Sequence, residues 1–303
     1  MSPSMPRVHH MTCACIQRLR IHGKHLCCHV LLVETPRSGL VLVDTGLGTQ
    51  DYADLTSRLT RSFVYGYARP KRDPALAAVN QIRALGFSPD DVRHIVMTHM
   101  DLDHVGGLSD FPKAKVHLHA AELKQCTERR TFRDKHRYLP AMWAHGLDTE
   151  TYAGNGEAWF GFEAVRELRG LPPEILMIPL FGHTLGHCGV AIQSRDGWLL
   201  HAGDAYFDPR EVKGEERRCA WQVGLFQALV QTDRSLRLHN QDRLRRLTAD
   251  HPEIEVFCAH NPWEFEECQG RGVTRRTAAS TGAAAALMMP DNSIQQTRWA
   301  TLG

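Results

Sequence analysis

Five short apolar runs each end in a histidine or an aspartate, and this recurrence restricts the fold more than any other property of the chain. Leu40-Val41-Leu42-Val43 leads into Asp44-Thr45-Gly46, and Ile95-Val96-Met97 into Thr98-His99-Met100-Asp101-Leu102-Asp103-His104-Val105-Gly106-Gly107. Ile175-Leu176-Met177-Ile178 precedes Gly182-His183-Thr184-Leu185-Gly186-His187. Trp198-Leu199-Leu200 precedes His201-Ala202-Gly203-Asp204, and Ile254-Glu255-Val256-Phe257 precedes Cys258-Ala259-His260-Asn261-Pro262. Apolar runs of this length, bounded by turn residues, read as buried strands. An extended strand cannot bring its own side chains to one point, but loops leaving several strands can converge. The adjacent glycines allow tight turns there.

Other elements follow from periodicity. Residues 26–34 and 40–44 read as a hairpin around Pro36-Arg37-Ser38-Gly39. Leu76, Val79, Ile82 and Leu85 fall at helical spacing within 74–86, which stops at Gly86. Strands are expected at 94–97, 114–119, 175–180, 188–194 and 197–203, a short helix at 120–126, and a long Arg-rich helical region at 222–247. Segment 127–170 changes character, being rich in Arg, His and aromatics with weak periodicity. It reads as an insertion covering the site, with a helical pair on the edge of the fold as the plainer alternative. Residues 1–270 read as one domain and 271–303 as a flexible tail of Thr, Ala and Gly.

The chain has 303 residues, 43% of them hydrophobic, which is enough for a substantial core. A net charge of +2 implies no strong field for nucleic acid or membrane. No run of about 18 apolar residues marks a transmembrane helix, and Met1 to Ile16 lacks a signal-peptide core. Nine cysteines without framework spacing predict reduced thiols and a cytoplasmic protein. Cys13, Cys15, Cys27 and Cys28 could form a structural zinc site, although buried strand cysteines are the commoner outcome.

Taken in order, the five strand ends resemble the metallo-β-lactamase superfamily. Its pattern is an aspartate in V-D-T-G, then H-x-H-x-D-H, a G-H-T histidine, a G-D aspartate and a late histidine. The resemblance spans roughly residues 26 to 262 and is nearest to the N-acyl-homoserine lactonases. One position departs from it: His99-Met100-Asp101-Leu102-Asp103-His104 carries an aspartate where the second histidine stands. A carboxylate is itself a competent ligand.

The resemblance implies an α/β fold, an αββα sandwich of two mixed β-sheets flanked by helices, and a centre of two divalent metal ions. His99, Asp101 and His183 would hold one ion, Asp103, His104 and His260 the other, and Asp204 would bridge them. Asp44 would fix a ligand histidine by accepting its other ring N–H, and His187 and His201 read as supporting residues. A metal-bridged hydroxide would attack an ester or lactone carbonyl, with Asp103 or Asp204 carrying the proton. Tyr206 would serve as an oxyanion donor, because the lactonases have a substrate-contacting tyrosine soon after this aspartate. Trp143, Phe181 and Trp221 are candidates for an apolar pocket. Zinc is the expected metal. Iron or manganese is admitted because Asp101 makes the loaded cluster harder and one charge less positive.

Two alternatives stand beside this hydrolase. Flavodiiron proteins of the superfamily carry a glutamate at the position of Asp101, so a diiron redox enzyme is the first, although no flavin module is evident. A non-catalytic protein that captures ligands through its metals is the second. The expected partner is a small-molecule substrate, with no nucleic acid or membrane. Similar lactonases commonly form homodimers, and the resemblance extends that possibility to this chain.

Overall fold

The structure, a computed structural model, describes residues 5–154, 156–164 and 168–270. The expected flexible tail, 271–303, lies outside the described residues. Six strands form the first sheet in sequence order: β1 (Arg7–Ile21), β2 (Lys24–Glu34), β3 (Leu40–Val43), β4 (Val92–Val96), β5 (Lys115–His119) and β6 (Asp148–Tyr152). The first three pair antiparallel, and β3 to β6 pair parallel. A small hairpin follows, β7 (Glu157–Trp159) with β8 (Phe162–Ala164). The second sheet contains β9 (Ile175–Pro179), β10 (Cys188–Ser194), β11 (Gly197–His201) and β12 (Glu255–Phe257) in the order β12-β11-β10-β9. Only its β11–β12 pair is parallel.

The period of two along each strand builds the layers. Leu31, Val33, Val41 and Val43 point toward the second sheet and meet Ile175, Met177, Val190 and Phe257. Their neighbours Val30, Leu32, Leu40 and Leu42 point outward, against Val79 and Ile82 of the helix Ala78–Ala84. On the far side, Leu176, Ile178 and Leu200 pack on Leu244 and Leu247 of the helix Arg234–Asp250. Both faces of each sheet are covered, which is why the strands read as continuous apolar runs. The expected αββα sandwich is the observed architecture.

Three expectations change in detail. β1 has no counterpart among the expected strands, because register shifts at Thr12/Cys15 and Ile16/Arg20 interrupt its alternation. The helical region at 222–247 is two helices, Trp221–Val230 and Arg234–Asp250. Asp233 caps the second by accepting from Leu236 N, and Thr232 N and Asp233 N bond to Gly182 O. Segment 127–170 is divided rather than a single cover. The helix Phe132–Arg137 faces the site, β6 extends the first sheet, and the hairpin packs Trp159 and Phe162 into the second sheet's outer core. Among the described residues, no helix is long and apolar enough to cross a membrane.

Candidate metal centre

Asp44 leaves β3 at φ 58° and organises the next loop. Its carboxylate accepts from Thr98 N at 2.7 Å, from the Thr98 hydroxyl at 2.7 Å and from His104 Nδ1 at 2.8 Å. This fixes the His104 tautomer and turns Nε2 toward the centre. Gly106 and Gly107 serve close approach rather than a special turn. A Cβ on Gly106 would lie 2.3 Å from the Asp51 carboxylate, and one on Gly107 would lie 2.9 Å from Thr45.

The seven ligand candidates converge as two groups. In one, Asp101 Oδ2 lies 3.3 Å from His99 Nε2 and 3.0 Å from His183 Nε2. In the other, His260 Nε2 lies 3.6 Å from Asp103 Oδ2 and 3.3 Å from His104 Nε2. Asp204 stands between them, with Oδ2 3.1 Å from His260 Nε2 and 3.4 Å from His183 Nε2, and Oδ1 3.4 Å from His104 Nε2. Two ligands bound tetrahedrally to one zinc lie about 3.4 Å apart. Several of these gaps match that spacing and exceed ordinary hydrogen bonds.

His99 Nε2 and Asp204 Oδ1 are buried without a hydrogen-bond partner. An orphaned buried imidazole nitrogen and carboxylate oxygen, both aimed inward, fit a cation. Burial favours neutral carboxyls. For Asp204 this is outweighed by His260, His104 and His183, and for Asp101 by Arg137 and His99, so both carboxyls are held well below the usual range. Burial also disfavours a charged His104, but Asp204 and Asp44 raise it to about 10.

Residues 27–260 match the Metallo-beta-lactamase superfamily. The chain belongs to this superfamily. A protein named "Probable metallo-hydrolase" from Mycobacterium tuberculosis is 38% identical over 257 residues, which is 84% of this chain and 80% of that protein. The N-acyl homoserine lactonase AiiA of Bacillus thuringiensis subsp. kurstaki is 28% identical over 189 residues, covering 62% and 66% of the two chains. A solved N-acyl homoserine lactone hydrolase holding N-hexanoyl-L-homoserine at its metal centre superposes with a TM-score of 0.64 at 20% identity. That superposition covers 88% of this chain and 97% of the other. The family match and the 38% identical relative group the chain with the metallo-hydrolases of that superfamily.

The residues behind the ligand candidates hold them in place. His187 Nδ1 donates to Leu180 O at 2.8 Å, so its Nε2 accepts from Asp204 N, also at 2.8 Å. Gly203, at φ 54°, permits this contact, because a Cβ there would lie 2.5 Å from His187 Nε2. His201 bonds to His29 O and receives Gly203 N. Glu122 is fully buried and ties the His99 and His183 loops together, accepting from Met100 N, Thr184 Oγ1 and Gly186 N. Nothing in Ala120-Ala121-Glu122-Leu123 marks that role.

Arg137 also escaped the sequence reading. It ends the short helix Phe132–Arg137, which a Thr131–Asp134 capping box starts. Its Nε and Nη2 fork onto the two oxygens of Asp101, and Nη2 reaches His183 Nε2 at 2.8 Å. Nη1 donates to Val230 O at 2.7 Å and to His183 O at 3.2 Å. The charge premise behind iron or manganese therefore weakens, because the extra carboxylate already has a cationic partner.

Tyr206 is not brought to the centre. It is fully buried in the second sheet's outer core, where its hydroxyl donates to Glu264 at 3.0 Å. It therefore has no oxyanion role here. The site cavity, about 200 Å³, has its apolar wall in Phe63, Tyr67, Phe207, Phe226 and Leu229. Trp143 packs on the first sheet's outer core and Phe181 between the sheets, neither lining this cavity, and Trp221 is 75% exposed. All nine cysteines are free. Cys13, Cys15, Cys27 and Cys28 do not gather as a zinc site. Instead Cys28 Sγ faces Asp103 Oδ2 at 3.6 Å and His260 Nδ1 at 4.0 Å.

Proposed function

We propose that the protein hydrolyses a small-molecule ester or lactone, using two divalent ions, zinc in the first instance. The observation that carries this reading is the Asp204 carboxylate, placed between two His/Asp groups and open to an apolar-walled cavity. His99, Asp101 and His183 would hold one ion, Asp103, His104 and His260 the other, and Asp204 both. When bound, such ions supply water acidified toward neutrality and a Lewis acid for the carbonyl oxygen.

The chain's own groups supply the rest. Asp103 and Asp204 line the cavity and stand where a carboxylate oxygen can take and return the proton. Phe63, Phe207, Phe226 and Leu229 would seat the apolar part of the substrate, and Arg133 and His136 lie beside them as polar contacts. N-acyl homoserine lactones head the candidate substrates, because relatives bear that name. The test is a panel of lactones, esters, thioesters and phosphodiesters on zinc-, manganese- and iron-loaded protein, with elemental analysis of the protein as isolated. Turnover of a lactone or carboxylic ester is expected. Silence across the panel in every loaded form overturns the reading, and two retained irons without lactone turnover favour a diiron redox enzyme.

A further inference from the structure

Arg137 is a buried cation fastened to the atoms that a first ion needs. Its side chain is 11% exposed and makes contacts to Asp101, His183 and the Val230 carbonyl. The last of these is a carbonyl at the C-terminal end of the helix Trp221–Val230, where positive charge is favoured. Of the first position's protein atoms, the guanidinium already takes both oxygens of Asp101 and His183 Nε2. The lone pair His183 would offer a metal is the one that accepts from Arg137 Nη2.

The second position has no such tenant. Among the described residues no lysine or arginine forms an ion pair with Asp103. His260 Nδ1 bonds to Cys27 O, and His104 Nδ1 to Asp44, which leaves both Nε2 atoms turned inward. The two halves of the centre thus differ in charge and in hydrogen bonding, although their ligand counts match. Resting on the metal-dependent reading above, we propose that Arg137 and a divalent cation compete for the first position. The protein then holds one ion tightly through Asp103, His104, His260 and Asp204, and a second only weakly. Arg137 has to give up His183 Nε2 before the second ion enters. It can keep one oxygen of Asp101, so the guanidinium acts as a brake on double occupancy.

The experiment titrates zinc into chelator-stripped protein against a chromophoric competitor, with equivalents counted by elemental analysis. Wild type is expected to bind its second zinc about 100-fold more weakly than its first, the scale on which a neighbouring charge moves a binding equilibrium. Arg137→Met should bring the two affinities within about 10-fold of each other, and Arg137→Lys, which keeps the charge without the fork, should lie between. Asp103→Asn should remove the tight ion. Two zinc ions of equal affinity in wild type overturn the proposal while leaving the metal reading intact, as does an Arg137→Met variant with unchanged steps. If that variant does not fold, the wild-type titration and Arg137→Lys decide the matter. Protein that takes up no ion in any form overturns the metal reading and this inference together.

Discussion

Asp44 holds its three hydrogen bonds from a left-handed backbone, a conformation that asparagine and aspartate tolerate better than most residues. The strain buys orientation of His104, whose Nε2 faces the centre only while Nδ1 is held. Residue-scale placement of this kind was legible where a side chain sits at a strand end, because the backbone there dictates its direction. It was illegible for Arg137 and Glu122, whose contacts cross between loops far apart in sequence and leave no periodic trace. Tyr206 failed for a related reason, since two residues beyond Asp204 the chain has turned its side chain into the opposite core. Tyr206→Phe is expected to keep kcat/KM within about twofold while losing about 1 kcal/mol of stability, the net worth of one buried hydrogen bond. Steady-state kinetics paired with denaturant unfolding checks both, and a collapse of kcat/KM at unchanged stability would return Tyr206 to the site.

At the scale of elements, continuous apolar strands and their turns were readable, because burial on both faces leaves a strong pattern. β1 was not, since its two register shifts break the alternation on which such a reading depends. The break between Trp221–Val230 and Arg234–Asp250 was hidden for a different reason. It is set by backbone bonds from Thr232 and Asp233 to Gly182, across the fold. Asp233→Ala is expected to lower unfolding free energy by about 1 kcal/mol through loss of the helix cap. Because the same turn holds the His183 loop, zinc affinity measured by competition should fall in that variant as well. Unchanged stability would show that the cap contributes little.

Across the whole molecule, a cluster of buried and half-buried imidazoles links the two sheets. His10 Nδ1 lies 2.9 Å from His29 Nε2, and His29 stacks on Phe257. Burial, with His201 and His9 nearby, lowers His10 from 6.5 to about 4. A depressed histidine is neutral in the native state while the unfolded chain takes up a proton, so stability is full above pH 6.5 and is lost as pH falls toward 4. The loss is at most about 3.5 kcal/mol, since each tenfold drop in proton affinity is worth about 1.4 kcal/mol. Thermal unfolding followed from pH 7 to pH 4 should show this decline, and His10→Gln should flatten it. An unaltered slope in the variant would remove His10 from the account.

The loops that carry the ligand candidates are stitched to one another by main-chain bonds, Cys188 N to Thr98 O, Ala259 N to Gly203 O and His29 N to Ala259 O. A cation arriving at the Asp103, His104 and His260 side of this seam finds a seat already upholstered, with little ordering left to do, unlike a small finger that must fold around its ion. Stripping the metal should therefore silence the protein long before it loosens the scaffold.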